Sequence, residues 1–360
     1  MSKVFFEVLQ KEEFEQVVYG YDKFSGLKAI IAIHNTALGP AFGGTRMYPY
    51  ASEDDAIYDV LRLSKAMTYK NAAGGINFGG GKAIIIGDAK KDKTEDLLRA
   101  YGRLIEGLGG RFIGGVDIGT DEDDMVIVHQ ETNNCTALPE AYGGGGSTSM
   151  ATAHGVYNGI KAAADEVFGS PSLNGKTVSI QGVGHIGFAL AQSLKNEGAK
   201  VIVCDVDPTN LKKAQDELNV EVVSPEEIYD QEVDIFAPCA MGAILNDNTI
   251  PRLKCKMIAG SANNQLKDED KHSKMLVERN IVFAVDYILS VGGCINNSHQ
   301  FIGYNRERAY AQVAGNITTN IRKVLRMSQE KNITTVEAAR QLAEQRIQSA
   351  INRKSWFLNK

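Results

Sequence analysis

The sequence contains few cysteines, and those it has follow no recognisable spacing. The five cysteines are scattered over 360 residues without a CxxC pair, which excludes a disulfide framework and a cysteine-based zinc site. The six histidines likewise lack the paired spacing of metal ligands. We therefore predict no bound metal, and we expect most of the cysteines to be small buried hydrophobic residues.

Long hydrophobic runs and an excess of basic residues are also missing. No apolar stretch reaches the roughly 20 residues of a membrane span, and the opening MSKVFFEVLQKEEFEQ has acidic residues where a signal peptide would be apolar. The formal net charge of -5 indicates no basic surface for a phosphate backbone. We expect a cytoplasmic protein whose partners are neither nucleic acids nor membranes.

What the sequence does contain is the pattern of an α/β protein with two domains. Short β-branched runs alternate with helical periodicity in the first half, and strands that are apolar on both faces follow in the second. The glycine run Gly143–Gly146 predicts an interdomain connection between them. We predict an N-terminal α/β domain over residues 1–145, a Rossmann-type doubly wound domain over 146–330, and two amphipathic helices in the tail.

Several polar residues mark predicted helix starts. Ser52 and Thr94 can each cap a following helix, and Thr334 or Thr335 can open the last one. In SPEEIY, Ser224 and Glu227 form a capping box with proline at the first helical position, which predicts a further helix there.

The segment QGVGHIGFALAQSLKNEGAKVIVCDVD predicts a dinucleotide site. Of its three glycines, the first permits a turn, the second lets the backbone approach a pyrophosphate, and the third lets helix and strand pack closely. Asp205 follows about 20 residues later, where a carboxylate can bind both ribose hydroxyls but would repel a 2′-phosphate. A structural turn is the alternative, but the full context favours NAD over NADP. The predicted cofactor-binding residues are Gly182, Val183, Gly184, His185, Ile186, Gly187 and Asp205.

Two lysines and an aspartate in the first half stand beside glycines: Lys70 in MTYKNAAGG, Lys82 in NFGGGKAIIIGD and Asp117 in GGVDIGTDEDDM. If they converge, one ammonium can bind a substrate carboxylate, and the other, its pKa lowered by a like-charged neighbour, can act as a general base. The aspartate can then transfer the proton. Ordinary surface lysines are the alternative, and sequence spacing does not decide whether the three side chains meet.

Four long motifs resemble those of the leucine, phenylalanine and valine dehydrogenases: GLKAIIAIHNTALGPAFGGTRM, MTYKNAAGGINFGGGKAIIIGD, DIFAPCAMGAILND and IAGSANNQLKDE. The similarity extends over essentially the whole chain. It implies NAD-dependent, reversible oxidative deamination of a hydrophobic L-amino acid, branched-chain or aromatic, to the 2-oxo acid and ammonia. It also implies that the first domain binds substrate and forms a homo-oligomer, and that the helices in residues 331–360 return to that domain.

The resemblance assigns roles to individual residues. Lys82 matches the catalytic lysine that activates water, Lys70 the lysine that binds the substrate carboxylate, and Asp117 the aspartate that assists proton transfer. The glycines before Lys82 are then expected to leave room for the amino acid and the nicotinamide ring. Further substrate contacts are implied at Phe42, Gly43, Gly44, Met67, Gly115, Asn264, Cys294 and Asn297, and cofactor contacts at Thr152, Ala240 and Asn263.

Departures from the leucine dehydrogenase pattern bear on specificity. Gly115 replaces the usual alanine, as in phenylalanine dehydrogenases, and would deepen the side-chain pocket. Phe42 stands where leucine or methionine is usual, and Cys294 and Asn297 occupy normally aliphatic positions. A buried asparagine indicates a polar atom on the substrate or, as we favour, a satisfied structural amide. Glutamate is disfavoured as a substrate because no lysine is evident for a distal carboxylate.

Two other functions fit the same residues: a dehydrogenase of a non-standard amino acid, and a catalytically idle sensor that binds NAD or an amino acid. The presence together of Lys70, Lys82 and Asp117 argues against the sensor, because a pure binder needs no general base.

Overall fold

The computed structural model describes residues 5–354, which divide into two compact units. The first comprises residues 5–147, 297–305 and 343–354, and the second residues 148–296 and 306–342. This division differs from the predicted ranges after residue 296, because the chain enters the first unit briefly and rejoins it at Ala343, inside the last helix. The end of the predicted tail, residues 355–360, lies outside the described residues.

The first unit combines helices with a mixed sheet. Its helices are α1 (Phe5–Lys11), α2 (Glu53–Gly74), α3 (Glu95–Glu106) and α4 (Glu122–His129). Its strands are β1 (Gln16–Tyr21), β2 (Lys28–Asn35), β3 (Ala41–Tyr48), β4 (Gly79–Ile86) and β5 (Phe112–Val116). They pair in the order β1-β2-β4-β3-β5, where β2 is antiparallel to both of its neighbours and β3 is parallel to both of its own.

Both faces of the sheet in the first unit are buried. Alternate residues of a strand point to opposite faces, so neighbouring residues enter different clusters. Ile31, Ile33 and Ile85 pack in one cluster with α3, and Ile30 and Ile84 pack in another with α2.

Both helices begin where the capping residues predicted: Ser52 accepts from the backbone N–H of Asp55, and Thr94 from that of Leu97. These two predictions are confirmed. Lys82, two residues from Ile84, faces the side of the sheet that α2 covers.

The second unit has a parallel sheet with helices between its strands. Its strands are β6 (Thr177–Gln181), β7 (Lys200–Cys204), β8 (Glu221–Val222), β9 (Ile235–Pro238), β10 (Met257–Ile258) and β11 (Val282–Phe283). Its helices are α5 (Thr148–Phe168), α6 (His185–Asn196), α7 (Pro208–Leu218), α8 (Glu269–Glu278), α9 (Asp286–Leu289), α10 (Gly292–Ser298) and α11 (Arg306–Lys331), and α12 (Thr335–Lys354) runs from this unit into the first.

The parallel strands lie in the order β11-β10-β9-β6-β7-β8. Along the chain, β7 and β8 are added on one side of β6, and β9, β10 and β11 on the other side. This is the doubly wound Rossmann arrangement, so the predicted fold class is confirmed. Thr334 caps α12 by accepting from the backbone N–H of Glu337. In the part of the chain that the structure describes, no helix combines the length and apolar character needed to span a bilayer.

The helix predicted at SPEEIY is wrong in extent. Ser224 and Glu227 make both reciprocal bonds of a capping box, at 3.0 and 3.2 Å, yet only a single 3₁₀ turn, Glu227–Asp230, follows. The chain has to enter β9 shortly afterwards, at Ile235, and the single turn already places Ile228 and Tyr229 in buried positions. A correct local start signal therefore did not decide the length of the element.

Candidate active site

Lys82 and Asp117 meet across the sheet of the first unit. Lys82 lies on β4 and Asp117 directly after β5, and β3 runs between these strands. The Lys82 Nζ lies 3.0 Å from Asp117 Oδ2. They can meet because the intervening residue is Gly44: a Cβ there would lie 3.2 Å from Lys82 Nζ and 2.9 Å from Asp117 Cβ. The pair is therefore formed over a gap in the side-chain layer of β3.

The glycines that precede Lys82 have a different use from the one expected. A Cβ on Gly79 would lie 1.9 Å from the Asn35 carbonyl oxygen, and one on Gly80 would lie 2.0 Å from Thr68 Oγ1. The space beside these glycines is occupied by the neighbouring strand and by α2, so they do not leave room for a ligand. Gly43 is similar, since its Cβ would lie 1.8 Å from the Gly81 carbonyl oxygen.

Burial and neighbouring charges perturb both members of the pair. Lys82 is only 5% exposed, and burial, together with the positive charge of Arg46, lowers its pKa although Asp117 opposes the shift. Burial opposes ionisation of Asp117, but the charges of Lys82 and Arg46 outweigh it and hold the pKa of that carboxyl below its ordinary value. Burial is thus the main cause of the lowered lysine pKa, and Arg46 is the like-charged neighbour that acts on it.

Arg46 and Asp59 extend this pair into a network that the motifs did not reveal. The Arg46 Nε donates to Asp117 Oδ2 at 2.7 Å, and its Nη1 donates to Asp59 Oδ2 at 2.8 Å. The Tyr50 hydroxyl donates to the same Asp59 oxygen at 2.6 Å. The signal in the sequence was the placement of Arg46 two residues after Gly44, which puts both on one face of β3.

The C-terminal end of α2 carries Lys70 and Met67, three residues apart on one helical face. Asn71 fastens this end of the helix to the strands, because its Nδ2 donates to the Gly79 carbonyl at 2.6 Å and to the Phe42 carbonyl at 3.3 Å. Arg346 of α12 donates to backbone carbonyls at the same helix end, including those of Ala72 and Ile76 at 3.0 and 2.7 Å. These Arg346 contacts, which sequence reasoning missed, join α12 to the end of α2 within the first unit.

An apolar group lies beside the Lys82 pair. Phe42 is buried on β3, its ring is 5.3 Å from that of Phe78, and the Phe78 ring is 5.9 Å from that of Phe301. A Cβ on Gly115 would lie 4.0 Å from Phe42 Cε2 and 2.9 Å from Thr136 Oγ1. Phe42 and Gly115 therefore lie close together in the first unit. Asn297 is buried in this unit, at 4% exposure.

In the second unit, the three glycines between β6 and α6 differ in what surrounds them. Gly182 has a φ of 93°, and a Cβ there would meet Ala240 Cβ at 2.6 Å. A Cβ on Gly187 would lie 2.0 Å from the Gly182 carbonyl oxygen, so this glycine permits close packing of helix on strand. A Cβ on Gly184, the N-cap of α6, would meet no atom within 4 Å. Gly184 thus exposes backbone to a ligand at a helix N-terminus, which fits a pyrophosphate.

Asp205 follows β7 and is held beside the glycine turn. Its Oδ2 accepts from the Val183 N–H at 2.7 Å and its Oδ1 from the Asp207 N–H at 2.9 Å. Each carboxylate oxygen can accept more than one hydrogen bond, so both retain capacity for ribose hydroxyls. His185 and Ile186 form the first turn of α6. The predicted dinucleotide residues are thus gathered at one end of the parallel sheet.

The remaining candidate residues of the second unit lie on its loops and helices. The Asn263 Oδ1 accepts from the Ser290 hydroxyl at 3.2 Å, and Asn264 adopts a φ of 52°. Thr152 lies on α5, where its Oγ1 would be 3.1 Å from a Cβ on Gly293 of α10. Cys294 follows Gly293 on α10. Over residues 5–354, no group of three or more His, Cys, Asp or Glu side chains could hold a metal ion.

Both units correspond to known protein-family models. The model of the Glu/Leu/Phe/Val dehydrogenase dimerisation domain matches residues 15–134, and that of the S-adenosyl-L-homocysteine hydrolase NAD binding domain matches residues 148–283. The leucine dehydrogenase of Thermoactinomyces intermedius is 54% identical over 353 residues, 98% of this chain and 96% of the relative. The phenylalanine dehydrogenase of Lysinibacillus sphaericus is 47% identical over 357 residues, 98% of this chain and 93% of the relative.

A solved structure also matches along almost the full length. The crystal structure of L-tryptophan dehydrogenase from Nostoc punctiforme aligns with a TM-score of 0.84 at 43% identity, over 96% of this chain and 99% of that one. Fold, length and sequence therefore agree with the same group of enzymes, and the predicted resemblance is confirmed.

Proposed function

We propose which residues carry out the reaction of this chain, which belongs to the Glu/Leu/Phe/Val dehydrogenase family and is an NAD-dependent amino acid dehydrogenase. Its reaction is the reversible oxidative deamination of a hydrophobic L-amino acid to the 2-oxo acid and ammonia. The observation that carries the proposal is the buried Lys82 beside Asp117, in a chain that also has a dinucleotide turn with Asp205.

NAD held at Gly184 and Asp205 would supply the acceptor for the hydride of the substrate α-carbon, and the residues of the first unit would act on the imino acid that is left. Lys70 binds the substrate carboxylate and thereby fixes the α-carbon. Lys82, in its neutral form, takes a proton from the water that attacks the imino carbon, and burial favours that neutral form. Asp117, 3.0 Å from Lys82 Nζ, receives and returns the proton as the ammonia leaves.

The proposed substrates have large apolar side chains, aliphatic or aromatic. Phe42 offers a buried ring next to Gly115, and Phe78 and Phe301 continue the aromatic surface. Burying a large side chain against such a surface stabilises its complex over that of alanine by about 1–3 kcal/mol. The relatives named for leucine, phenylalanine and tryptophan support this range.

A panel of L-amino acids, assayed with NAD and with NADP at alkaline pH by the absorbance of the reduced cofactor, tests the proposal. We expect turnover of leucine and phenylalanine with NAD, and little with alanine or glutamate. If no amino acid reduces NAD while calorimetry detects NAD binding, the chain is a sensor. If only non-standard amino acids are turned over, the chain is a dehydrogenase of a non-standard amino acid.

The proposal extends to a homo-oligomer in the cytoplasm. Tyr19 and Tyr21 are exposed on β1, which forms an edge of the sheet in the first unit, and the matching family model is described as a dimerisation domain. All five cysteines are free, as is usual in a reducing compartment. Light scattering coupled to size exclusion should give a mass that is a multiple of 39.1 kDa, and a monomer would contradict the oligomer.

A further inference from the structure

One oxygen of the Asp117 carboxylate, Oδ2, contacts two cationic side chains. Lys82 Nζ lies 3.0 Å from Oδ2, and Arg46 Nε donates to the same Oδ2 at 2.7 Å. Arg46 keeps its positive charge throughout this pH range, so its effect on Lys82 and Asp117 does not change with pH. The shorter, charge-assisted bond goes to the residue that takes no part in proton transfer.

We propose that Arg46 is a positioning residue for the reaction: it holds the Asp117 carboxylate on Lys82 and offsets the negative charge there, so that Lys82 can release its proton. The inference rests on the proposed function, because it takes Lys82 as the general base. Without Arg46, the full charge of Asp117 would stabilise the ammonium form of Lys82, which cannot accept a proton from water.

Arg46 is itself held from the far side. Asp59 of α2 accepts from Arg46 Nη1 at 2.8 Å and from Arg62 Nη2 at 2.9 Å, and the Tyr50 hydroxyl donates to it. Asp59 remains a carboxylate: burial opposes its ionisation, but these partners hold its pKa below the ordinary value. The guanidinium is thus fixed in a fork between two carboxylates, and it cannot turn away when a substrate binds.

The other elements packed around Lys82 add few charges. His34 on β2 is neutral near pH 7, because burial lowers its pKa to about 4. Lys70 is the further cation on α2, close to the C-terminal end of that helix. Tyr50 stays protonated, since burial and its bond to Asp59 raise its pKa. The neighbouring charges that act on Lys82 are therefore chiefly those of Asp117 and Asp59, which favour its ammonium form, and that of Arg46, which opposes it.

The test compares the pH dependence of kcat/KM for oxidative deamination in wild type, Arg46→Gln, Arg46→Lys and Asp59→Asn. The acid limb, where activity rises as the general base deprotonates, is the readout. Arg46→Gln should move it upward by about one pH unit, about tenfold in kcat/KM below the limb, since an attractive charge would then act unopposed. Arg46→Lys keeps the charge and should move the limb by less than half as much.

Asp59→Asn removes a negative charge that raises the pKa of Lys82, so it should move the limb to lower pH, the opposite direction from Arg46→Gln. A merely structural role would give shifts of the same sign in both variants, so that result contradicts the proposal. An unmoved limb in Arg46→Gln, or an equal shift in Arg46→Lys, also overturns it. If Arg46→Gln fails to fold, as judged by its melting temperature and NAD binding, the Asp59→Asn result decides. A wild type that oxidises no amino acid refutes the proposed function instead.

Discussion

The two units build their candidate sites from different materials. The first unit gathers charged side chains: Arg46 lies on β3, Lys82 on β4, Asp117 directly after β5, and Asp59 on α2. The second unit uses mainly backbone: glycines that shape a turn and leave N–H groups open, with Asp205 as the carboxylate beside them. The charged site depends on how distant strands pair, whereas the backbone site is contained in the continuous segment 181–205.

This difference decides what each site costs the fold. Buried charges are tolerable only when partners compensate them, and Arg46 accordingly lies between two carboxylates. A glycine turn costs only conformational freedom, and it tolerates no added side chain at the crowded positions. Substitutions that remove one member of this charged site should therefore impair folding as well as chemistry, because they leave a buried charge uncompensated. In the second unit, whether a substitution impairs NAD binding or folding should depend on which glycine is replaced.

The largest effect should follow from Lys82→Ala. We expect kcat to fall by about 1000-fold or more, because the general base is removed, while NAD affinity measured by calorimetry stays within twofold of wild type. Lys91→Ala is the matched control, since the Lys91 side chain is 79% exposed and pairs with Asp88 at the surface. Comparable kcat values for wild type and Lys82→Ala would show that Lys82 is not the general base. The charged site of the first unit would then have no demonstrated part in the chemistry.

The glycines of the dinucleotide turn provide the next test. Gly187→Ala places a methyl group 2.0 Å from a backbone carbonyl oxygen, and it should destabilise the second unit by roughly 3 kcal/mol. Gly184→Ala adds the same methyl where no atom lies within 4 Å, at a φ of −64° that alanine accepts. It should keep the wild-type melting temperature and weaken NAD binding about tenfold or more. Equal NAD affinity in wild type and Gly184→Ala would mean that the pyrophosphate lies elsewhere.

Asp205→Ala should have a smaller effect, on cofactor choice. Losing charge-assisted hydrogen bonds to the ribose should weaken NAD binding by about 1–3 kcal/mol and reduce discrimination against NADP. Asp207→Ala is the matched control, because Asp207 lies in the same loop and caps α7 through the Thr209 N–H. Titration calorimetry with both cofactors measures the two affinities. Wild-type protein that binds NADP as tightly as NAD would refute the role of Asp205.

Local sequence was sufficient to predict much of the second unit, and the contrast between the sites explains why. The turn at Gly182 and the strand before Asp205 each depend on residues within a short segment, as do the helix caps at Ser52 and Thr94 in the first unit. A helix cap or a dinucleotide turn carries its physical cause in its own sequence. The same reasoning overestimated the helix at SPEEIY, where tertiary packing and not the cap set the length.

The charged site was only partly predictable for the converse reason. Lys82 and Asp117 could be selected as residue types, but their meeting depends on β3 lying between β4 and β5 and on Gly44 being a glycine. Arg46 and Asp59 were missed, because an arginine on a strand and an aspartate on a helix are unremarkable until the sheet order brings them together. The roles of all these residues stay predictions until the variants are measured.

The smallest effect concerns the apolar side of the first site. Gly115→Ala adds a methyl group 4.0 Å from Phe42 Cε2 and 2.9 Å from Thr136 Oγ1, so the Thr136 side chain has to shift by a few tenths of an ångström. The narrower pocket should change the ratio of kcat/KM for leucine over phenylalanine in favour of leucine, by about 1 kcal/mol. Gly115→Ala combined with Thr136→Ala separates two causes. If the ratio returns to the wild-type value, the displaced threonine was responsible, and if it stays shifted, the methyl group itself fills the pocket. No shift in the single variant, or a shift toward phenylalanine, would show that Gly115 does not face the substrate side chain.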